Sequence, residues 1–137
     1  VLGPGPLARG MPPRWDMATT TSPQPPDLRS RLFEFACAIT CAAKSLRTRS
    51  PVALVLSEQV LRSGTSAGAN YEEASDGSSR RDSRAKILIA LREMKETRYR
   101  LRILDATGLL LPLERSLISE SDELVRILAT IVKRLSD

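Results

Sequence analysis

From residue 27 onward, apolar residues recur at steps of three and four, the spacing that lines up one face of an α-helix. Leu28, Leu32, Phe35, Ile39, Ala43 (or Ala42) and Leu46 make the first stripe. Asp27 follows Pro25-Pro26 and can cap free backbone N–H groups, so a helix is predicted over 27–48. Ser50-Pro51 restarts the chain: Ser caps well and Pro fits the first helical turn, where its missing N–H costs nothing. A second helix over 51–74 is predicted to turn Leu56, Val60, Ala67 and Tyr71 inward. Ala74-Ser75-Asp76-Gly77-Ser78-Ser79 reads as a turn by composition.

A third helix is predicted over 80–107, with Ile87, Leu91, Met94, Leu101 and Leu104 as its stripe. The run Ile87–Leu91 is apolar all round, which predicts burial on more than one side. Gly108 suits the residue after a helix end, and Pro112 opens a fourth helix over 112–135. That helix carries Leu113, Leu117, Leu124, Leu128, Ile131 and Leu135, with Val125, Ile127 and Val132 widening the stripe. Four amphipathic helices joined by short turns predict an all-α, antiparallel up-and-down four-helix bundle over residues 27–137.

The polar positions add register. Ser63, Gly64, Thr65, Ser66, Ala67, Gly68 and Ala69 are small, and two glycines inside a helix cost roughly 1 kcal/mol each relative to Ala. Close approach of a neighbouring helix offsets that cost; a phosphate cradle is the alternative, disfavoured because helical N–H groups are already bonded. Beside them Arg62, Ser66, Asn70 and Glu73 form a polar stripe, and Lys86, Glu93 and Glu96 form another on the third helix. Folding about Gly77 sets Arg62 against Glu93 or Glu96, and Glu73 against Lys86. These residues are expected to form a structural polar network that fixes register, with acid–base chemistry the competing reading.

Residues 1–26, rich in Pro and Gly, are predicted to be disordered or extended. Trp15 is the one large apolar group there, with local docking as its expected use. The chain opens with Val, so translation from Met11 or Met17 stands beside an ordinary flexible tail as an explanation of this segment.

The chain contains no His, which removes the usual general base and the Glu-x-x-His iron sites of ferritin-like bundles. No phosphate-binding loop or nucleophile elbow is present. Cys37 and Cys41 lack a third and fourth ligand for a metal and are expected to be small core residues. Neither catalysis nor a cofactor is therefore expected. The apolar runs are too short to span a bilayer, no signal-peptide pattern opens the chain, and the two cysteines suit a reducing setting, so a cytoplasmic protein is expected.

The string LRSGTSAGANYEEA at 61–74, followed by Arg81-Asp82, Lys86, Ile89-Ala90-Leu91-Arg92-Glu93, Glu96-Thr97 and Tyr99, resembles the signature of the 23S rRNA intervening-sequence proteins, also called four-helix-bundle proteins. The resemblance implies an up-and-down bundle and a homo-oligomer, a pentamer in several members. Related accessory proteins of diversity-generating retroelements bind nucleic acid and a reverse transcriptase, which implies RNA, DNA or such an enzyme as candidate partners. Arg100 stands where many relatives carry Trp, and Ser83 where an aromatic is common. Both remove apolar area and bear on assembly more than on fold.

Charge completes the picture. The chain carries a formal +5, with Arg80, Arg81, Arg84, Lys86, Arg92, Lys95, Arg98, Arg100 and Arg102 crowding the third helix. Arg80, Arg81, Arg84, Arg98 and Arg102 are the candidate nucleic-acid contacts, acting through phosphate. A solvated face with intrahelical pairs such as Arg92–Glu96 and Glu96–Arg100 is the bland alternative. The expected function is a non-catalytic, oligomeric RNA- or DNA-binding accessory factor, with a protein-interaction scaffold as its rival.

Overall fold

The computed structural model describes residues 27–76 and 79–136. The Pro/Gly-rich segment, Trp15 and the turn tip at Gly77 lie outside the described residues. The helices begin where the sequence offers caps. α1 spans Leu28–Leu46, with the Asp27 carboxylate accepting from the Ser30 N–H at 2.8 Å. α2 spans Pro51–Ser75 behind Ser50, whose hydroxyl accepts from the Ala53 N–H at 3.0 Å. α3 spans Arg80–Ala106, capped by Ser79 onto the Asp82 N–H at 3.1 Å. Gly108, at φ 77, takes the left-handed conformation that ends α3 without a Cβ penalty.

The start of the fourth helix differs from the sequence expectation. Pro112–Arg115 forms a short 3-10 turn, and α4 spans Ser116–Ser136. Leu113 is 61% exposed and lies outside the stripe; the core begins with buried Leu117. The tighter 3-10 winding shifts the phase, so extending the α4 spacing back across it misplaces Leu113.

Each helix packs on the next, and α1 also touches α4. Their directions follow from the order of paired residues. Ile39 lies against Gly64 and Leu32 against Gly68, so α1 and α2 run in opposite senses. Glu73 meets Lys86 while Arg62 meets Glu93, giving the same result for α2 and α3. Arg84–Ser136 and Arg98–Asp122 do so for α3 and α4. The result is a four-helix all-α bundle.

Its core is aliphatic: Leu32, Ile39, Leu46, Met94, Leu101, Leu104, Leu124 and Leu128 are almost fully buried. α2 presents small residues to that core, including Ala53, Ser57, Val60, Ser63, Gly64 and Ala67. A Cβ on Gly64 would sit 2.9 Å from the Ile39 Cγ2, and one on Gly68 would sit 3.4 Å from the Leu32 Cβ and 3.6 Å from its carbonyl oxygen. Gly64 therefore admits α1 at close range, the packing reading of the small-residue segment, while Gly68 leaves room for a methyl group but little more. Leu56 and Tyr71 are half-buried against the core. Ile89 breaks the expectation for its run, since it is exposed while Ile87, Ala90 and Leu91 are buried.

Cys37 and Cys41 are free and half-buried, not core residues. Both lie off the α1 stripe, and four-residue spacing cannot by itself distinguish the inward from the outward face. Burial pushes the Cys37 thiol above its ordinary pKa, with Cys41 and Glu34 adding to the shift.

Candidate nucleic-acid interface

α3 is electrostatically two-sided. Toward α2 it is paired: Lys86 Nζ lies 2.7 Å from Glu73, and Arg62 lies 3.6 Å from Glu93 and 3.5 Å from Glu96. Glu96 also pairs with Arg100 at 3.2 Å, one helical turn on. Asn70 does not join this cross-helix set; its amide donates to the Ser66 carbonyl and hydroxyl within α2. Beneath the charges, buried Thr97 and Ser63 share a hydrogen bond of 2.7 Å across the two helices. Glu93 Oε1 is buried and has no hydrogen-bond partner among the described residues.

On the outer side of α3 the sequence steps Arg81, Arg84, Leu88, Arg92, Lys95, Tyr99 and Arg102, intervals of three and four that set them in one stripe. At 1.5 Å per residue the stripe is about 30 Å long. Arg81, Arg92, Lys95 and Arg102 are exposed and make no ion pair with the described residues; Arg84 donates to the Ser136 hydroxyl at 2.9 Å. Of the two anticipated intrahelical pairs, Glu96–Arg100 forms and Arg92–Glu96 does not, because Glu96 is engaged by Arg62 and Arg100.

Two of the five candidate arginines are otherwise occupied. Arg80 donates to the Arg134 carbonyl at 2.7 Å, satisfying the end of α4 where the helix dipole favours a cation. Arg98 pairs with Asp122 at 3.4 Å across α3 and α4. Arg81, Arg84 and Arg102 remain on the stripe. Arg92 and Lys95 join them, although the sequence reading left both out of the candidate set. The signal was present in the spacing: counting turns from Arg81 reaches both.

Around Tyr99 the surface dips into a groove between α3 and α4 lined by Arg98, Tyr99, Arg102, Ile103, Ile118 and Asp122, with a volume of about 760 Å3. Its carboxylates have cations already: Asp122 has Arg98, and Asp105 has Arg115 at 2.8 Å. Arg102 is the groove's uncompensated charge. Among the described residues no cluster of three or more His, Cys, Asp or Glu side chains could hold a metal ion, and no helix is long and apolar enough to cross a membrane.

Two ion-pair clusters elsewhere escaped the sequence reading. Arg31 on α1 reaches Glu120 at 2.8 Å and Glu123 at 3.1 Å on α4, and Arg49 meets Glu114 at 2.8 Å. In both arginines the carboxylate hydrogen bond is the leading cause of a raised pKa.

No curated protein matches the chain. Among solved structures, one described as a protein of unknown function from the S23 ribosomal protein family of Bacteroides thetaiotaomicron VPI-5482 is 37% identical, with a TM-score of 0.73 over 78% of this chain and 99% of that one. The family described as 23S rRNA-intervening sequence protein matches residues 27–130, most of the chain and all of α1, α2 and α3. The chain belongs to the 23S rRNA-intervening sequence protein family.

Proposed function

We propose that the protein is a nucleic-acid-binding accessory factor without chemistry of its own, and that the outer face of α3 carries the contact. The supporting observation is the stripe Arg81, Arg84, Arg92, Lys95 and Arg102, whose cations have no carboxylate partner among the described residues while those facing α2 do. Acidic neighbours cancel a merely solvated basic face, and here the nearby carboxylates are taken by other cations: Glu93 by Arg62, Glu96 by Arg62 and Arg100, Asp105 by Arg115 and Asp122 by Arg98. Arg suits phosphate because its planar fork presents several donors at once. The free thiols of Cys37 and Cys41 fit a reducing, cytoplasmic setting.

Self-assembly belongs to the same reading, since a ring of protomers multiplies a modest cationic stripe into an extended positive surface. Phe33, Val52, Val55, Leu111 and Leu113 are each at least half exposed, which suits burial against another polypeptide. Those same residues favour a protein-interaction scaffold as the second reading.

A salt titration separates the two. If phosphate contact drives binding, log affinity for RNA or DNA falls linearly with log salt, by roughly 0.7–0.9 for each phosphate engaged. Replacing Arg81, Arg92 and Arg102 with Gln should flatten that slope by about 2–3. A protein that retains neither RNA nor DNA at low salt, while light scattering shows an assembled state, is a scaffold.

A further inference from the structure

We infer that the groove between α3 and α4 receives an unpaired base of a single-stranded nucleic acid, stacked on Tyr99. This rests on the basic-face reading and specifies its ligand. Phosphate needs only cations, yet this stripe is interrupted by a tyrosine that is 63% exposed. Lys95 precedes Tyr99 by four residues and Arg102 follows it by three, so both flank the ring on the same face. Beside it lie Ile103 and Ile118, half-buried apolar side chains lining a groove of about 760 Å3. The groove is open to solvent along one side, and its apolar part, Tyr99 with Ile103, Ala106 and Ile118, suits one face of a flat ring while its other face stays in water.

The electrostatics fit the same occupant. Asp105 is held by Arg115 and Asp122 by Arg98, so the two carboxylates that line the groove each have a cation against them. Arg102 stays available to hold the backbone next to a base resting on Tyr99. A duplex hides its base faces within the stack, so only a single strand, loop or end exposes a base to the ring. Stacking tolerates any base because every base has a π-face, so little sequence preference is expected.

Fluorescence anisotropy with three labelled probes tests this: single-stranded oligoadenylate, a duplex of equal length, and an abasic strand with the same number of phosphates. Stacking of one base is worth roughly 1–3 kcal/mol, so Tyr99→Ala should weaken oligoadenylate binding by about 5- to 150-fold. The same substitution should leave the abasic strand, the duplex and the salt slope unchanged, and Tyr99→Phe should retain binding. Tyr99 is exposed, and matching thermal unfolding of the variants checks that the bundle is intact. Equal losses on the oligoadenylate and abasic strands, or no loss on either, overturn the stacking inference; if Arg102→Gln still flattens the salt slope, the basic-face reading survives. Failure of the unmodified protein to bind any probe at low salt removes both.

Discussion

Arg49 and Glu114, 65 residues apart in the chain, meet through two hydrogen bonds of 2.8 Å, one from each terminal guanidinium nitrogen. Arg49 also donates to the Leu109 carbonyl at 2.7 Å, while Glu114 accepts from the Leu111 N–H at 2.8 Å. The pair therefore ties the α1–α2 connection to the segment between α3 and α4, where helical hydrogen bonds lapse. At 7% exposure Glu114 is the most buried charged residue among the described residues.

Removing one member should expose the cost of leaving its partner unmatched. Breaking a fully buried pair costs roughly 3–5 kcal/mol, and the 18% exposure of Arg49 lowers the expectation for Glu114→Ala to about 2–4 kcal/mol. Glu120→Ala, on the more exposed Arg31 pair, should cost about 0.2–1 kcal/mol. Denaturant unfolding of the two variants checks the ranking, and an inverted order would show that the Arg49 clamp is ornamental.

The two glycines of α2 should respond oppositely to the same methyl group. Gly64→Ala gains roughly 1 kcal/mol of helix propensity but pushes a Cβ to 2.9 Å from the branched Ile39, an overpacking cost of about 1–3 kcal/mol. Net destabilisation is expected. At Gly68 the new Cβ meets Leu32 at 3.4 Å, an ordinary contact, so Gly68→Ala should be neutral or slightly stabilising. Gly68→Leu has no such room and should disrupt the bundle. Melting temperatures of the three variants decide it; a stabilised Gly68→Leu would refute close packing by α1.

Between α2 and α3, the buried hydroxyl pair should matter more than the charges above it. Thr97→Val leaves the Ser63 hydroxyl with a 3.5 Å contact to the Val60 carbonyl, a loss of roughly 1–3 kcal/mol. Arg62 is 60% exposed, so Arg62→Ala should cost under about 1 kcal/mol. Adding Ser63→Ala to Thr97→Val should recover stability, because neither hydroxyl is then stranded. A double-mutant cycle with no such recovery would mean the hydroxyls act independently.

Much of this architecture was legible in the sequence, and particular residues show where legibility stopped. The N-caps at Asp27 and Ser50, the close of α3 at Gly108 and the buried stripes of α1 and α3 follow from local rules of capping and periodicity. The pairings of Arg62 and Lys86 follow because an antiparallel hairpin of helices maps spacing directly onto contact. Leu113 was misplaced because periodicity carries no mark of a change from α to 3-10 winding. Arg49–Glu114 was invisible because its partners belong to separate connections whose approach depends on the whole bundle. Arg98 and Arg80 were indistinguishable from Arg92 and Lys95 by residue type alone; what separates them is the position of Asp122 and of the α4 carboxyl end.

The cysteines give a test that depends on pH. Cys37 is half-buried on α1, and desolvation opposes formation of its thiolate, with the nearby Cys41 and Glu34 acting in the same direction. A raised pKa means less thiolate than a free cysteine holds at any pH below that value, and the thiolate is the reacting species. Alkylation of Cys37 in the folded protein should thus be slower than that of a small free thiol at neutral and mildly alkaline pH. Its rate should keep rising with pH after the free thiol has levelled off. Glu34→Gln should speed the reaction modestly, and unfolding in urea should speed it further by restoring solvation. Cys37 and Cys41 fall on one peptide, so fragment-ion mass spectrometry after timed iodoacetamide pulses is used to read Cys37 separately from Cys41. A rate that matches the free thiol across the pH series would show that the α1 surface leaves this sulfur fully hydrated.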